Sequence, residues 1–195
     1  NGNETATPRQ YTRVSNATFV QSRAGSGGNA ILMRGGTDYA LLNSVVVSPA
    51  ACLDIDATGG STMQAATADD VGPPVFNSVV LACPTAFRDD GNVATADIQA
   101  LFTAGANNNI AFTSSLASVF INGANEAAVT ATDPTTFNAD SIGGANSSAP
   151  NKLTAVTYIG AVQNASDTWY AGWTCNSGYA SFGSTSLSCT ALPTN

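Results

Sequence analysis

The hydrophobic positions of this chain come in short blocks rather than long stripes. Residues 17–21, 30–33, 39–47, 52–55, 75–82 and 86–87 are blocks rich in apolar and β-branched residues. Between them sit clusters such as Gly25-Ser26-Gly27-Gly28-Asn29 and Arg34-Gly35-Gly36-Thr37-Asp38. Blocks of this length bounded by turn formers predict strands. Residues 1–16 form an irregular lead-in. Helical spacing is clear once, near 95–104, where Thr95 is the expected N-cap, Asp97 lies in the first turn and Gly105 ends the run. Residues 118–121 and 127–130 read as a further strand pair, and 132–152 as a Gly/Asn/Ser loop. Within the terminal segment, 153–195, residues 154–162 predict a strand, 163–167 a turn and 168–175 a Trp-rich strand.

Three of the blocks share a form: Asn16-Ala17-Thr18-Phe19-Val20, Asn43-Ser44-Val45-Val46-Val47 and Asn77-Ser78-Val79-Val80-Leu81. Asn, a small residue and three apolar or β-branched residues recur at spacings of 27 and 34. A period of that size, built from strands and Asn or Gly corners, predicts an all-β, right-handed parallel β-helix solenoid over 17–131. The terminal segment would form a disulfide-stapled β cap on it. The alternative is an antiparallel β-sandwich, which also uses short, regularly spaced strands.

Composition narrows the function classes. Six Lys+Arg stand against thirteen Asp+Glu, for a net charge of −7, and there is no histidine. A chain so poor in cations is not built to displace phosphate counterions, so nucleic acid is not an expected partner. Triads with a His base and His-bearing zinc sites are excluded. No apolar run approaches the roughly 20 residues that span a bilayer as a helix. The chain opens Asn1-Gly2-Asn3 without a leader-like stretch and reads as a mature form or a fragment. Sequons at Asn3, Asn16, Asn146 and Asn164 carry little weight in a chain this rich in Asn, Ser and Thr.

Cys52, Cys83, Cys175 and Cys189 make an even set without a CxxC pair. Four cysteines allow three connectivities, of which Cys52–Cys83 with Cys175–Cys189 suits the local spacing best. Disulfides rather than buried thiols point to an oxidising compartment.

Thr157-Tyr158-Ile159-Gly160-Ala161-Val162, followed by Asp167-Thr168-Trp169-Tyr170-Ala171-Gly172-Trp173-Thr174-Cys175, resembles the C-terminal region of large secreted or surface-exposed bacterial proteins that carry right-handed parallel β-helix coils upstream. The resemblance covers the terminal segment and, more weakly, residues 14–90. It implies an extracellular or cell-surface location and a β-helix, and it brings no catalytic residues.

Candidate sites are few. Asp89, Asp90 and Asn92 have the oxygen-ligand character of a calcium loop but lack the EF-hand spacing, and a turn feeding the helix is the preferred reading. Calcium is therefore the one candidate cofactor. Asp54 and Asp56 alternate with Leu53 and Ile55 and are expected on one solvent face; Asp69 and Asp70 are expected in a solvated loop. A glycosidase would need two carboxylates at a defined separation, for which Asp54 with Asp56, or Asp38 with Asp54, are the available pairs. A lyase would need clustered cations, and Arg34, Arg88 and Lys152 are far apart. Trp169, Tyr170 and Trp173 are either a carbohydrate or subunit contact, or inward-facing residues capping the coil stack; strand alternation would put both Trp on one face, and the inward cap is the preferred reading.

The expected function is an extracellular structural or adhesive surface element, self-assembling into a fibre or layer through an open edge near residues 14–20, or contacting other surface proteins or polysaccharide. The alternative is a polysaccharide-active enzyme or carbohydrate-binding module.

Overall fold

The computed structural model describes residues 3–21, 28–57, 62–68, 70–89, 92–138 and 152–191. In it the chain passes three times between two small parallel sheets. The first sheet holds β1 (Tyr11–Ser15), β2 (Thr18–Val20), β4 (Asp38–Val47) and β6 (Val75–Ala82). Its centre is β4, with β1 and β2 along one edge and β6 along the other. The second holds β3 (Asn29–Met33), β5 (Ala51–Ile55) and β7 (Thr85–Arg88), in that order. Every pairing between these strands is parallel.

Two small parallel sheets replace the β-helix solenoid expected over 17–131, and the parallel pairing also removes the antiparallel sandwich. The stacking stops after the third pass because of Asn107-Asn108-Asn109. Asn107 is left-handed (φ 57°). The Asn108 amide takes strand-like bonds onto its own side chain, accepting from Val79 N (2.9 Å) and donating to Phe76 O (2.8 Å) and Phe102 O (2.7 Å). Irregular backbone then occupies the β6 edge, with Leu81 N to Asn109 O and Asn109 N to Val79 O, leaving one isolated bridge instead of a fourth strand. Asparagine favours this role because its short amide tolerates left-handed backbone and mimics a peptide group.

The recurring Asn corners have a definite job. Asn16 (φ 58°), Asn43 (φ 47°) and Ser78 (φ 55°) are all left-handed and lie side by side across β1/β2, β4 and β6. The first two align as the repeat predicts. The third is offset by one, so Ser78 rather than Asn77 stands opposite Asn43. Each left-handed residue shifts the in–out alternation of its strand, which is why Leu41 and Val46, an odd number of positions apart, enter the same core. That core also takes Leu53, Ile55, Phe76, Leu81 and Phe87. Helix α1 (Thr95–Ala104) seals it with Ile98 and Phe102, four residues apart on one face. Thr95 is not the cap: Ala94 holds that position with no side-chain hydrogen bond, and Thr95 is already helical.

On the other face of the first sheet, Val45 and Val80 pack with Ile159. The left-handed residues dock the C-terminal half there. The Asn43 amide bonds both Thr132 O (2.9 Å) and Thr132 N (2.8 Å), and its backbone carbonyl accepts from Gly160 N (2.8 Å). Ser78 Oγ donates to Thr130 O and Asn16 Nδ2 to Tyr158 O, each at 2.8 Å.

None of the four strands expected after residue 117 forms. Residues 118–120 are a turn closed by an Ala117–Ile121 bridge, α2 (Ala124–Ala127) is a single helical turn, and Ile121–Val162 is a lone bridge. Residues 169–173 are consecutive turns. With the sheet edge already filled, these segments have no strand to pair with, and their Ser, Asn and Gly residues bond the backbone locally. The 132–152 loop contains a 3-10 turn, Pro134–Phe137, that Asp133 caps by accepting from Thr135 N; residues 139–151 lie outside the described residues. Both disulfides form, Cys52–Cys83 and Cys175–Cys189.

Candidate functional site

The C-terminal turns carry the aromatic residues. Trp169 and Trp173 are one helical turn apart, and the Trp173 indole N–H donates to Trp169 O (2.6 Å). The Trp169 indole N–H donates to Ala161 O (2.9 Å), and Thr174 Oγ1 to Tyr170 O (2.9 Å). Gly172 permits the tight path with φ 92°, in the left-handed region that glycine enters without penalty. The two indoles meet at 5.8 Å between centroids and 72° between planes. They form a corner rather than a flat shelf.

Tyr170 turns the other way. Its ring meets Phe120 (4.9 Å, 82°) and Phe182 (5.8 Å, 63°), and Phe120 stacks on Phe182 (4.6 Å, 29°). This half-buried trio backs the indoles. The following loop is organised by Asn176, whose amide accepts from Phe182 N (2.6 Å) and donates to Ser186 O (2.8 Å) and Gly183 O (3.0 Å). The Cys175–Cys189 bridge closes it.

The inward cap expected of the Trp residues is not what the fold makes. Trp169 is 54% exposed and Trp173 74% exposed. Of eight large hydrophobic residues exposed among the described residues, four fall in 169–187: Trp169, Trp173, Tyr179 and Leu187. Turn geometry, not strand alternation, puts the two Trp together and Tyr170 inside.

A support for this region went unseen in the sequence. Glu126 is fully buried at the end of α2, and its two carboxylate oxygens take four hydrogen bonds. Ser114 Oγ (2.9 Å) and Ser115 N (2.8 Å) donate to Oε1; Ser115 Oγ (2.6 Å) and Gly123 N (3.0 Å) donate to Oε2. Burial pushes its pKa up, but the Ser115 and Ser114 bonds outweigh burial and the net direction is down. The available signal was Gly-x-x-Glu at 123–126, a capping-box spacing.

The acidic candidates are dispersed. Asp54 does not share a solvent face with Asp56: it is 1% exposed on the central strand β5, in register with Arg88 on β7. Asp70 is not in a solvated loop either. It is buried, and its Oδ2 lies 2.7 Å from Arg9 Nε, so the lead-in that looked irregular supplies a buried cation. Arg9 also donates to Gly36 O (2.6 Å) and Gln64 Oε1 (2.9 Å). Asp38 joins them, accepting from Val71 N (2.9 Å). Burial raises its pKa to about 6; the Val71 N–H opposes that, the neighbouring Asp70 carboxylate adds to it, and Arg9 opposes it. A cleft of about 470 Å³ lies beside this clasp, lined among others by Glu4, Arg9, Gln10, Arg34 and Tyr39. Glu4 is the only carboxylate among its described lining residues, so this cleft does not assemble the pair that glycoside hydrolysis uses.

Of the candidate calcium ligands, Asp89 is exposed, Asn92 is left-handed (φ 67°) at the turn into α1, and Asp90 lies outside the described residues, as does Asp69. No group of three His, Cys, Asp or Glu able to hold a metal occurs among the described residues. No helix among them is long and apolar enough to cross a membrane.

Comparison with protein-family models, curated proteins and solved structures finds no match to this chain.

Proposed function

We propose that the protein is an extracellular adhesive element whose contact surface is the Trp169–Trp173 corner. The observation that carries this reading is the exposure of two indoles whose N–H groups are both already bonded to the chain's own backbone. Only their apolar ring faces remain to be satisfied. Leaving a large apolar side chain in water forgoes about 1.5–3 kcal/mol relative to burial. Clustered exposed aromatics mark interaction sites, and Trp is among the residues that dominate binding energy at interfaces. The corner is fixed before any partner arrives by the Phe120–Tyr170–Phe182 trio and the Cys175–Cys189 bridge, so little ordering entropy is lost on binding. Two disulfides support an oxidising, extracellular setting.

The test is retention of the protein on surfaces coated with polysaccharides and matrix proteins, comparing the natural chain with W169A/W173A. Adhesion falling at least tenfold, with unchanged circular dichroism, supports the reading. Equal retention of the two proteins contradicts it.

A further inference from the structure

We infer that the Trp169–Trp173 corner takes an uncharged polysaccharide, its sugar rings packing on the exposed indole faces. This rests on the adhesive reading above and names its ligand.

The first argument is charge. From Gln163 to Ala191 the chain holds no Lys or Arg and a single carboxylate, Asp167. That carboxylate already accepts a hydrogen bond from Gln163 N (3.1 Å). A segment without cations has nothing of its own to pair with sulfate, phosphate or uronate groups, and the chain's charge of −7 repels polyanions over the Debye length. With one carboxylate it has no means of gripping a basic partner either. What it recognises is neutral.

The second argument is the kind of surface. A pyranose ring offers C–H faces that pack on aromatic rings, and a rim of hydroxyls that both donate and accept. In the segment that leads into the corner, 163–168, the exposed polar side chains are Gln163, Asn164, Ser166 and Thr168, amides and hydroxyls of the same dual character. A protein partner would instead want a broad apolar area with a polar rim. Here the exposed aromatic area is small and turns through 72° over 5.8 Å, which suits sugar rings packed on single indole faces rather than a broad, flat interface.

The chain has two tryptophans, both in the corner, so its indole fluorescence reports on this site alone. The experiment titrates the full chain with soluble oligomers of neutral glucan, mannan, xylan and chitin, and with a polyuronate, at low and high salt. The expected result is a saturable shift in indole emission with at least one neutral oligomer, insensitive to salt. Trp173→Ala should weaken it about tenfold, and Trp173→Phe, which keeps a ring face, should restore most of it. Restoration by Phe excludes local unfolding as the cause of the Ala effect. Response to the polyuronate alone, lost at high salt, overturns the neutral-ligand inference, as does no response to any neutral oligomer. An emission shift that tracks protein concentration, with a dimer in sedimentation, means that the corner meets a second copy, which overturns the inference and leaves the adhesive reading standing. Adhesion unaffected by loss of both tryptophans removes the adhesive reading itself.

Discussion

Replacing Asp38 by Asn should flatten the dependence of folding stability on pH between about 4 and 6. Asp38 and Asp70 are each 2% exposed, hydrogen-bond one another and share the single guanidinium of Arg9. Two buried carboxylates with one cation cannot both ionise cheaply. Asp38, raised from 3.8 to about 6, therefore keeps its proton in the fold to a higher pH than it does unfolded. Where the native state binds the extra proton, stability falls as pH rises. The contribution is complete below 3.8 and is lost as pH rises through 6. The gap between those values corresponds to on the order of 3 kcal/mol, at about 1.36 kcal/mol per tenfold in proton affinity. Solvent reaching the clasp from the adjoining cleft screens these charges, so about 1–2 kcal/mol should be read out. Glu126 has the opposite sign: its lowered pKa adds stability above 4.5 that disappears as pH falls through the folded value, so the two windows overlap only between 3.8 and 4.5. The amide introduced by D38N retains an oxygen for Val71 N and offers an N–H to Asp70, and it cannot ionise. Guanidinium unfolding at a series of pH values should show the natural protein losing stability from about pH 4.5 to 6.5 while D38N stays level. At pH 7 D38N should then be the more stable. A natural protein that gains stability over that range, or a D38N curve that runs parallel to it, would refute the shared-proton account.

Glu126→Gln places an NH2 against two of four inward-pointing donors and should cost about 2–4 kcal/mol, read as a lower denaturation midpoint. Gly160→Ala combines φ +75° with a Cβ only 2.6 Å from Asn122 Oδ1, and should cost about 1–3 kcal/mol, with faster amide exchange in residues 158–162. The two disulfides should differ in reach. Their sequence separations of 31 and 14 correspond to loop-entropy terms of about 3–4 kcal/mol, which the first bridge adds to global unfolding and the second to opening of its own loop. C52S/C83S should lower global stability because Cys52 is in the core, whereas C175S/C189S should release exchange protection only around 176–189.

The strands of the three passes were legible because they are short apolar runs bounded by turn formers, and α1 because its apolar positions keep helical spacing. Strand β1 was missed: Tyr-Thr-Arg-Val-Ser alternates weakly, and its pairing with β4 rather than its own pattern makes it a strand. The Asn repeat was read as a sign that coils continue, yet its residues are left-handed docking points for 130–132 and 158–160. Nothing local distinguishes an Asn that stacks from one that bonds a segment over a hundred residues away, as Asn16 does with Tyr158. After residue 117 the strand pattern was real but lacked an open edge, and tertiary context overrode it. At the site, the clustering of Trp169, Tyr170 and Trp173 was visible, but their exposure was not, because alternation assumed a strand where the chain makes turns. Arg9 and Asp70 were legible only as isolated charges, since the contact joining them depends on where the second pass returns.

The central claim is that the two indoles are what the partner covers, and their chemical accessibility tests it most directly. N-bromosuccinimide oxidation, followed by mass spectrometry of the full chain, should modify both Trp169 and Trp173 rapidly in the free protein, as their 54% and 74% exposure requires. When the protein is adsorbed on a surface that retains it, both should be protected. Equal oxidation of the free and adsorbed protein would show that adhesion uses some other face and would contradict the account.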